Sequence, residues 1–99
     1  MHRFIIYKIY SNDTFLSDVS DDDYDRVSFS YKVETTVKLR FIPPIGLTVK
    51  LTQTDFTVDS LTFDVLDDCF YVFDIVDLVD HEVARKLVSN HLNDGWHLV

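Results

Sequence analysis

Glutamate is nearly missing from this chain, and so are the residues that build elaborate loops. Of seventeen acidic residues only Glu34 and Glu82 are glutamate; the other fifteen are aspartate. Two glycines and two prolines in 99 residues rule out a Gly-rich phosphate loop, since Gly46 and Gly95 stand alone. The single cysteine, Cys69, rules out an intramolecular disulfide and fits a reducing compartment. No apolar run approaches the ~20 residues of a membrane span. The apolar opening Phe4-Ile5-Ile6-Tyr7 is cut by Lys8, which does not read as a secretory signal. These absences predict a cytoplasmic protein with no membrane partner, in the host cytoplasm if the chain is viral.

What is present is a globular composition: 46% hydrophobic residues, with eight Phe and five Tyr. Residues 1–99 fit a single domain, and a chain of this mass removes roughly 65% of its surface from solvent on folding. The formal charge of −8 is sorted into blocks. Residues 1–10 carry +2; 11–25 carry six aspartates and no base; 26–50 carry five bases against Glu34. Residues 51–80 carry eight aspartates and no base, and the last nineteen balance. There is no internal repeat and no linker.

Alternation of period two is the main structural signal. In 27-VSFSYKVETTVKLRF-41 the odd positions are almost all apolar, and the even positions Ser28, Ser30, Lys32, Glu34, Thr36, Lys38 and Arg40 are polar. Fifteen residues is long for a strand, so a bend or bulge is expected near Thr35-Thr36. The segment 42-IPPIG-46 stops the strand, because proline cannot donate to a ladder and glycine tolerates positive φ. Alternation resumes with Leu47, Val49 and Leu51 inward, which predicts a long β-hairpin, 27–42 with 47–59.

In 55-DFTVDSLTFDVLDD-68 the phase slips at Ser60, as at a bulge or a tight turn. Asp67-Asp68 marks a turn before 69-CFYVFDIVDLV-79, apolar enough for a central strand. At the front, 3-RFIIYKIY-10 is a strand apolar on both faces. A helix over 81–94 follows from Asp80 as N-cap, Glu82 in the first turn, and a stripe of Ala84, Leu87, Val88, His91 and Leu92, with Gly95 as the stop. A short strand, 96-WHLV-99, finishes the chain. The fold class is α+β: an antiparallel sheet of about five strands with one C-terminal helix.

No catalytic signature emerges, and the chain reads as a non-enzyme without a cofactor. Asp21, Asp23 and Asp25 have the 1-3-5 spacing of a calcium loop. Arg26 replaces the turn glycine, however, and Lys32 replaces the bidentate Glu, so the stretch reads as a solvated acidic loop. Cys69 follows two carboxylates that oppose its ionisation, which predicts a buried structural residue. The histidines His2, His81, His91 and His97 lack metal-ligand spacing; His91 falls on the apolar stripe and His81 in a solvated first turn. Residues 4-FIIYKIYSN-12 resemble the first strand of the GIY-YIG nucleases. The resemblance covers nine residues, without the second-strand Tyr-Ile-Gly or the helix bearing the catalytic Arg, so it implies no nuclease. Residues 92-LNDGWHLV-99 resemble the closing strand of several small α+β domains, which concerns fold alone.

The acidic blocks carry the functional expectation. Like charges facing one another weaken a sheet, and solubility alone needs no single-sign field. Such a field speeds encounter with a basic partner. Asp55, Asp59 and Asp64 are expected to point outward from strands, Asp67 and Asp68 to extend the surface at a turn, and Asp21, Asp22 and Asp23 to add to it from the loop. The expectation is a non-enzymatic acidic module binding the basic surface of a nucleic-acid-binding protein, with no direct contact to nucleic acid. In style it is similar to phage or viral DNA-mimic inhibitors and anti-CRISPR proteins. The alternative is an assembly protein that self-associates, as a homodimer or larger, through its long hairpin.

Overall fold

The computed structural model describes residues 1–12, 29–77 and 80–99. The acidic stretch containing Asp21, Asp22 and Asp23, together with the calcium-like spacing, lies outside the described residues.

A strand apolar on both faces must be flanked by partners, and β1 (His2–Ser11) takes the middle of a five-stranded sheet. The order is β5 (Ser60–Asp64), β6 (Cys69–Asp77), β1, β2 (Ser30–Leu39), β7 (His97–Leu98). β2 and β6 flank β1, the first antiparallel and the second parallel, so the sheet is mixed and not purely antiparallel. The α+β class, the five strands and the C-terminal helix, α1 (His81–Asn93), are as the sequence predicts.

The expected 27–42/47–59 hairpin is not formed. β2 pairs residue for residue with β1, from Leu39 opposite His2 to Ser30 opposite Ser11, and with the short β7 on its other side. Its ladder runs through Thr35 and Thr36 without the expected bulge. β3 (Thr48–Lys50) pairs instead with β4 (Asp55–Thr57) as a separate small sheet. The inward–outward alternation of β2 was legible, but alternation does not choose a neighbour. The doubly apolar β1 reads as a central strand, which pairs along both edges, and β2 takes one of them.

The phase slip at Ser60 marks a change of sheet. β4 belongs to the small sheet and β5 to the large one, with Val58 fully buried between them. The helix begins where expected: the Asp80 side chain accepts the Glu82 N–H at 2.9 Å. It ends at Asn93, with Asp94 as C-cap and then Gly95, whose φ of 90° suits a residue without Cβ.

The small sheet and α1 cover one face of the large sheet. Phe4, Ile6 and Tyr10 of β1, Phe29, Val33 of β2, Val72 of β6, Phe56, Val58, Ala84, Val88 and Trp96 make the core there. On α1, Ala84, Val88 and His91 face that core, whereas Leu92 is exposed. The opposite face carries no described helix or second sheet. Cys69 is buried, as expected.

Candidate interaction surface

The β5–β6 hairpin turns at Val65–Asp68, and its aspartates are structural parts of the turn. Asp64 accepts the N–H groups of Leu66 and Asp67 at 2.9 and 3.2 Å. Asp67 accepts the Tyr71 hydroxyl at 3.0 Å, and its carbonyl accepts from Arg3 at 3.1 Å. The hydrogen bond to the Asp67 carboxylate, followed by one with Cys69, raises the pKa of the Tyr71 phenol. Asp68 adopts φ 52°, a left-handed conformation that Asp tolerates better than most residues. At the tip of this braced turn Val65 and Leu66 are 80% and 95% exposed. The hydrogen-bonded aspartates therefore hold two aliphatic side chains out into solvent.

Asp59 is also used locally: its carboxylate accepts the Ile75 N–H at 2.8 Å where β5 begins. Asp55 is half exposed and is also engaged locally. It lies 3.2 Å from Lys8, whose ammonium also reaches Asp74 at 3.4 Å. Lys8 and Asp74 are both buried. β1 presents Lys8 to the covered face at a point where the small sheet, through Asp55, closes over it. Burial raises the Asp74 pKa, opposed by the Thr57 N–H it accepts and by Lys8. Of the expected acidic surface, Asp64, Asp67 and Asp68 gather at the β5–β6 turn, Asp59 lies at the other end of β5, and the half-exposed Asp55 pairs with Lys8.

A second buried polar cluster joins the helix to the sheet. The Tyr10 hydroxyl and His91 Nε2 are 2.7 Å apart, and the His91 ring stacks on Trp96 with centroids 4.8 Å apart. Trp96 Nε1–H donates to Thr54 Oγ1, which donates in turn to Asp94. Those bonds hold the Asp94 carboxyl below its ordinary pKa. Burial pushes His91 down to about 4, with Lys8 adding to the shift, and burial likewise raises Tyr10. His81 is not solvated as expected: it stacks on Phe29 and Tyr31, and its Nε2 lies 2.6 Å from the Tyr31 hydroxyl.

The sequence pattern missed the aromatic content of the open sheet face. Tyr7 from β1 and Tyr71 and Phe73 from β6 lie side by side there, with centroids 6.3 and 5.3 Å from Tyr7. Lys32 of β2 places its Nζ 4.3 Å from the Tyr7 ring centroid. Within β2 alone the basic face has no aromatic neighbour. The two-faced β1 carried half of that signal; the β1–β2 register, which sets its odd residues on one face with the even residues of β2, carried the rest. Among the described residues there is no group of three or more His, Cys, Asp or Glu placed to hold a metal, and no helix long and apolar enough to cross a membrane.

Comparison with known proteins finds no matching family model, no similar curated protein and no similar solved structure.

Proposed function

We propose that this chain is a non-enzymatic protein-binding module that engages a basic protein surface through the tip of its β5–β6 hairpin. The observation that carries the reading is the tip itself: Val65 and Leu66, almost wholly exposed, ringed by Asp64, Asp67 and Asp68. Exposed aliphatic side chains cost solubility, and a turn fixed by four hydrogen bonds loses little entropy when it docks. The complementary partner has an apolar socket rimmed by Lys or Arg. The socket supplies affinity and the charges supply orientation and encounter rate. Basic surfaces of that kind occur on nucleic-acid-binding proteins, where the aspartates would stand in for phosphates. Self-association through a 27–42/47–59 hairpin has no such hairpin to use.

The experiment is capture of partners by the immobilised chain, with elution by rising salt and competition by DNA or RNA. Leu66→Asp and the pair Asp67→Asn with Asp68→Asn should each abolish or strongly weaken capture while leaving the melting temperature close to wild type. Release by nucleic acid supports mimicry. A partner that binds both variants as tightly as wild type, and is insensitive to salt, would remove this surface from consideration.

A further inference from the structure

The open face of the sheet is laid out in rows. β1 places Ile5, Tyr7 and Ile9 on it, and its parallel neighbour β6 places Tyr71, Phe73 and Ile75 at the same three levels. These six residues form an apolar block, with Ile75 56% exposed. The strands on either side carry charge of opposite sign at matching levels. On β2, Lys38 stands level with Arg3, Thr36 with Ile5, Glu34 with Tyr7 and Lys32 with Ile9. On β5, Asp64 pairs with Cys69, one step below Phe70 and so level with Arg3. Thr62 stands level with Tyr71, Ser60 with Phe73, and Asp59 sits beside Ile75. In a chain of charge −8 this face is close to neutral: Arg3, Lys32 and Lys38 against Glu34, Asp59 and Asp64, with Asp77 at the far end.

We propose that this face is the interface of a symmetric homodimer, covered by the same face of a second copy. A two-fold axis parallel to the strands and midway between β1 and β6 exchanges left and right while keeping every level. β1 of one copy then lies over β6 of the other, and β2 lies over β5. Level by level, Lys32 meets Asp59 of the second copy, Glu34 meets Ser60, Thr36 meets Thr62, and Lys38 meets Asp64. Each match occurs twice, as an isologous interface requires. The apolar blocks close on each other at the ~10 Å spacing of face-packed sheets, whose ~30° rotation keeps the matches best near the centre. Lys32 leans over Tyr7 and makes no ion pair among the described residues, so its ammonium is free to turn toward Asp59 of the second copy. A nucleic-acid strand fits less well, because its phosphates would meet Asp59, Asp64 and Asp77 along with the lysines. The pairing shares only Asp64 with the hairpin tip and leaves Val65, Leu66, Asp67 and Asp68 outside it, and its test touches none of these, so it stands or falls separately from the proposed function.

Sedimentation equilibrium of the full chain tests the pairing. Wild type should sediment at twice 11.6 kDa at micromolar concentration. Lys32→Glu and Asp59→Lys should each weaken the dimer by roughly tenfold or more, since each turns two attractive pairs into repulsive ones. An equimolar mixture of the two variants should restore it, because the heterodimer holds one native Lys32–Asp59 pair and one pair with its signs exchanged. Ile75→Lys, at an exposed position, should give a monomer that keeps a cooperative thermal transition. A wild type that stays monomeric into the high micromolar range overturns the proposal. So does a dimer that survives Ile75→Lys, or charge variants whose mixture shows no rescue. Binding of a labelled single-stranded oligonucleotide that Phe73→Ala abolishes, with the chain monomeric, would assign the face to nucleic acid instead.

Discussion

Lys8 and Asp74 are cross-strand partners in the parallel β1–β6 pair, with Nζ and Oδ2 3.4 Å apart and both residues buried. Nothing in a strand of period two asks for a charge on its covered face, so each of these two residues is tolerable there only because of the other. Asp55 adds a second, half-exposed carboxylate at 3.2 Å, and the Lys8 ammonium also donates to the Asp55 carbonyl. The cluster ties the small sheet to the large one.

Removing one partner should therefore cost more than removing both charges. Lys8→Met leaves the Asp74 carboxylate buried without its cation and should destabilise the domain by about 3–5 kcal/mol. Lys8→Met with Asp74→Asn keeps an acceptor for the Thr57 N–H, buries no charge at Asp74, and should recover a substantial part of that loss. Urea unfolding of the two variants decides; a double variant less stable than the single one contradicts this account.

Acidification should weaken the fold through His91. Its pKa falls from the ordinary 6.5 to about 4 because burial disfavours the imidazolium, with Lys8 adding to the shift and Asp55 and Asp94 opposing it. The folded state thus prefers the neutral ring. This contribution is fully present above pH 6.5 and is lost progressively as pH falls from there toward 4, at up to about 1.4 kcal/mol per pH unit. Asp74, whose pKa is raised by burial, works in the opposite direction over its own titration. The melting temperature of wild type should fall more steeply between pH 6.5 and 4.5 than that of His91→Gln. Parallel profiles would show that His91 does not carry the effect.

The sides of β2 are testable by a pair of substitutions. Val33 is fully buried and Thr36 exposed. Val33→Asp buries an unpaired carboxylate, costing several kcal/mol, and should unfold the domain. Thr36→Asp should keep a cooperative thermal transition far above that of Val33→Asp. Equal melting temperatures would put the strand in the wrong register.

Clearing charge from the hairpin turn should not stabilise it. Asp64 is the acceptor for two backbone N–H groups, so Asp64→Ala should lower stability by about 1–2 kcal/mol despite relieving repulsion with Asp67 and Asp68. Chemical denaturation measures it. A gain in stability would mean that repulsion outweighs the lost acceptor.

Part of this molecule was written locally. The Asp80 cap, the Ala84-Val88-His91 stripe and Gly95 delimit α1 because capping and helical periodicity act within a few residues. Alternation assigned the faces of β2 for the same reason: successive side chains must point to opposite sides. The two-faced apolarity of β1 marked a strand needing neighbours on both edges. The burial of Cys69 and the turn at Asp67-Asp68 were equally legible, and so was the sorting of charge into blocks.

Which strands meet was settled only in three dimensions. β2 pairs with β1 and not with residues 47–59, and β1 pairs in parallel with β6 across more than fifty residues of chain. Pairing partners are selected by the burial of whole faces, a quantity summed over the assembled domain and absent from any single strand. The same assembly reassigned the charges. Lys8 and Asp74, 66 positions apart, became a buried pair, and the half-exposed Asp55 joined them from the small sheet. It also set Tyr7 and Phe73 beside Lys32, a neighbourhood made by the order of strands. Local sequence determined which elements form and which way their residues face. Tertiary contact alone decided their partners, because only there do the costs of uncovered apolar area and of unpaired charge fall due together.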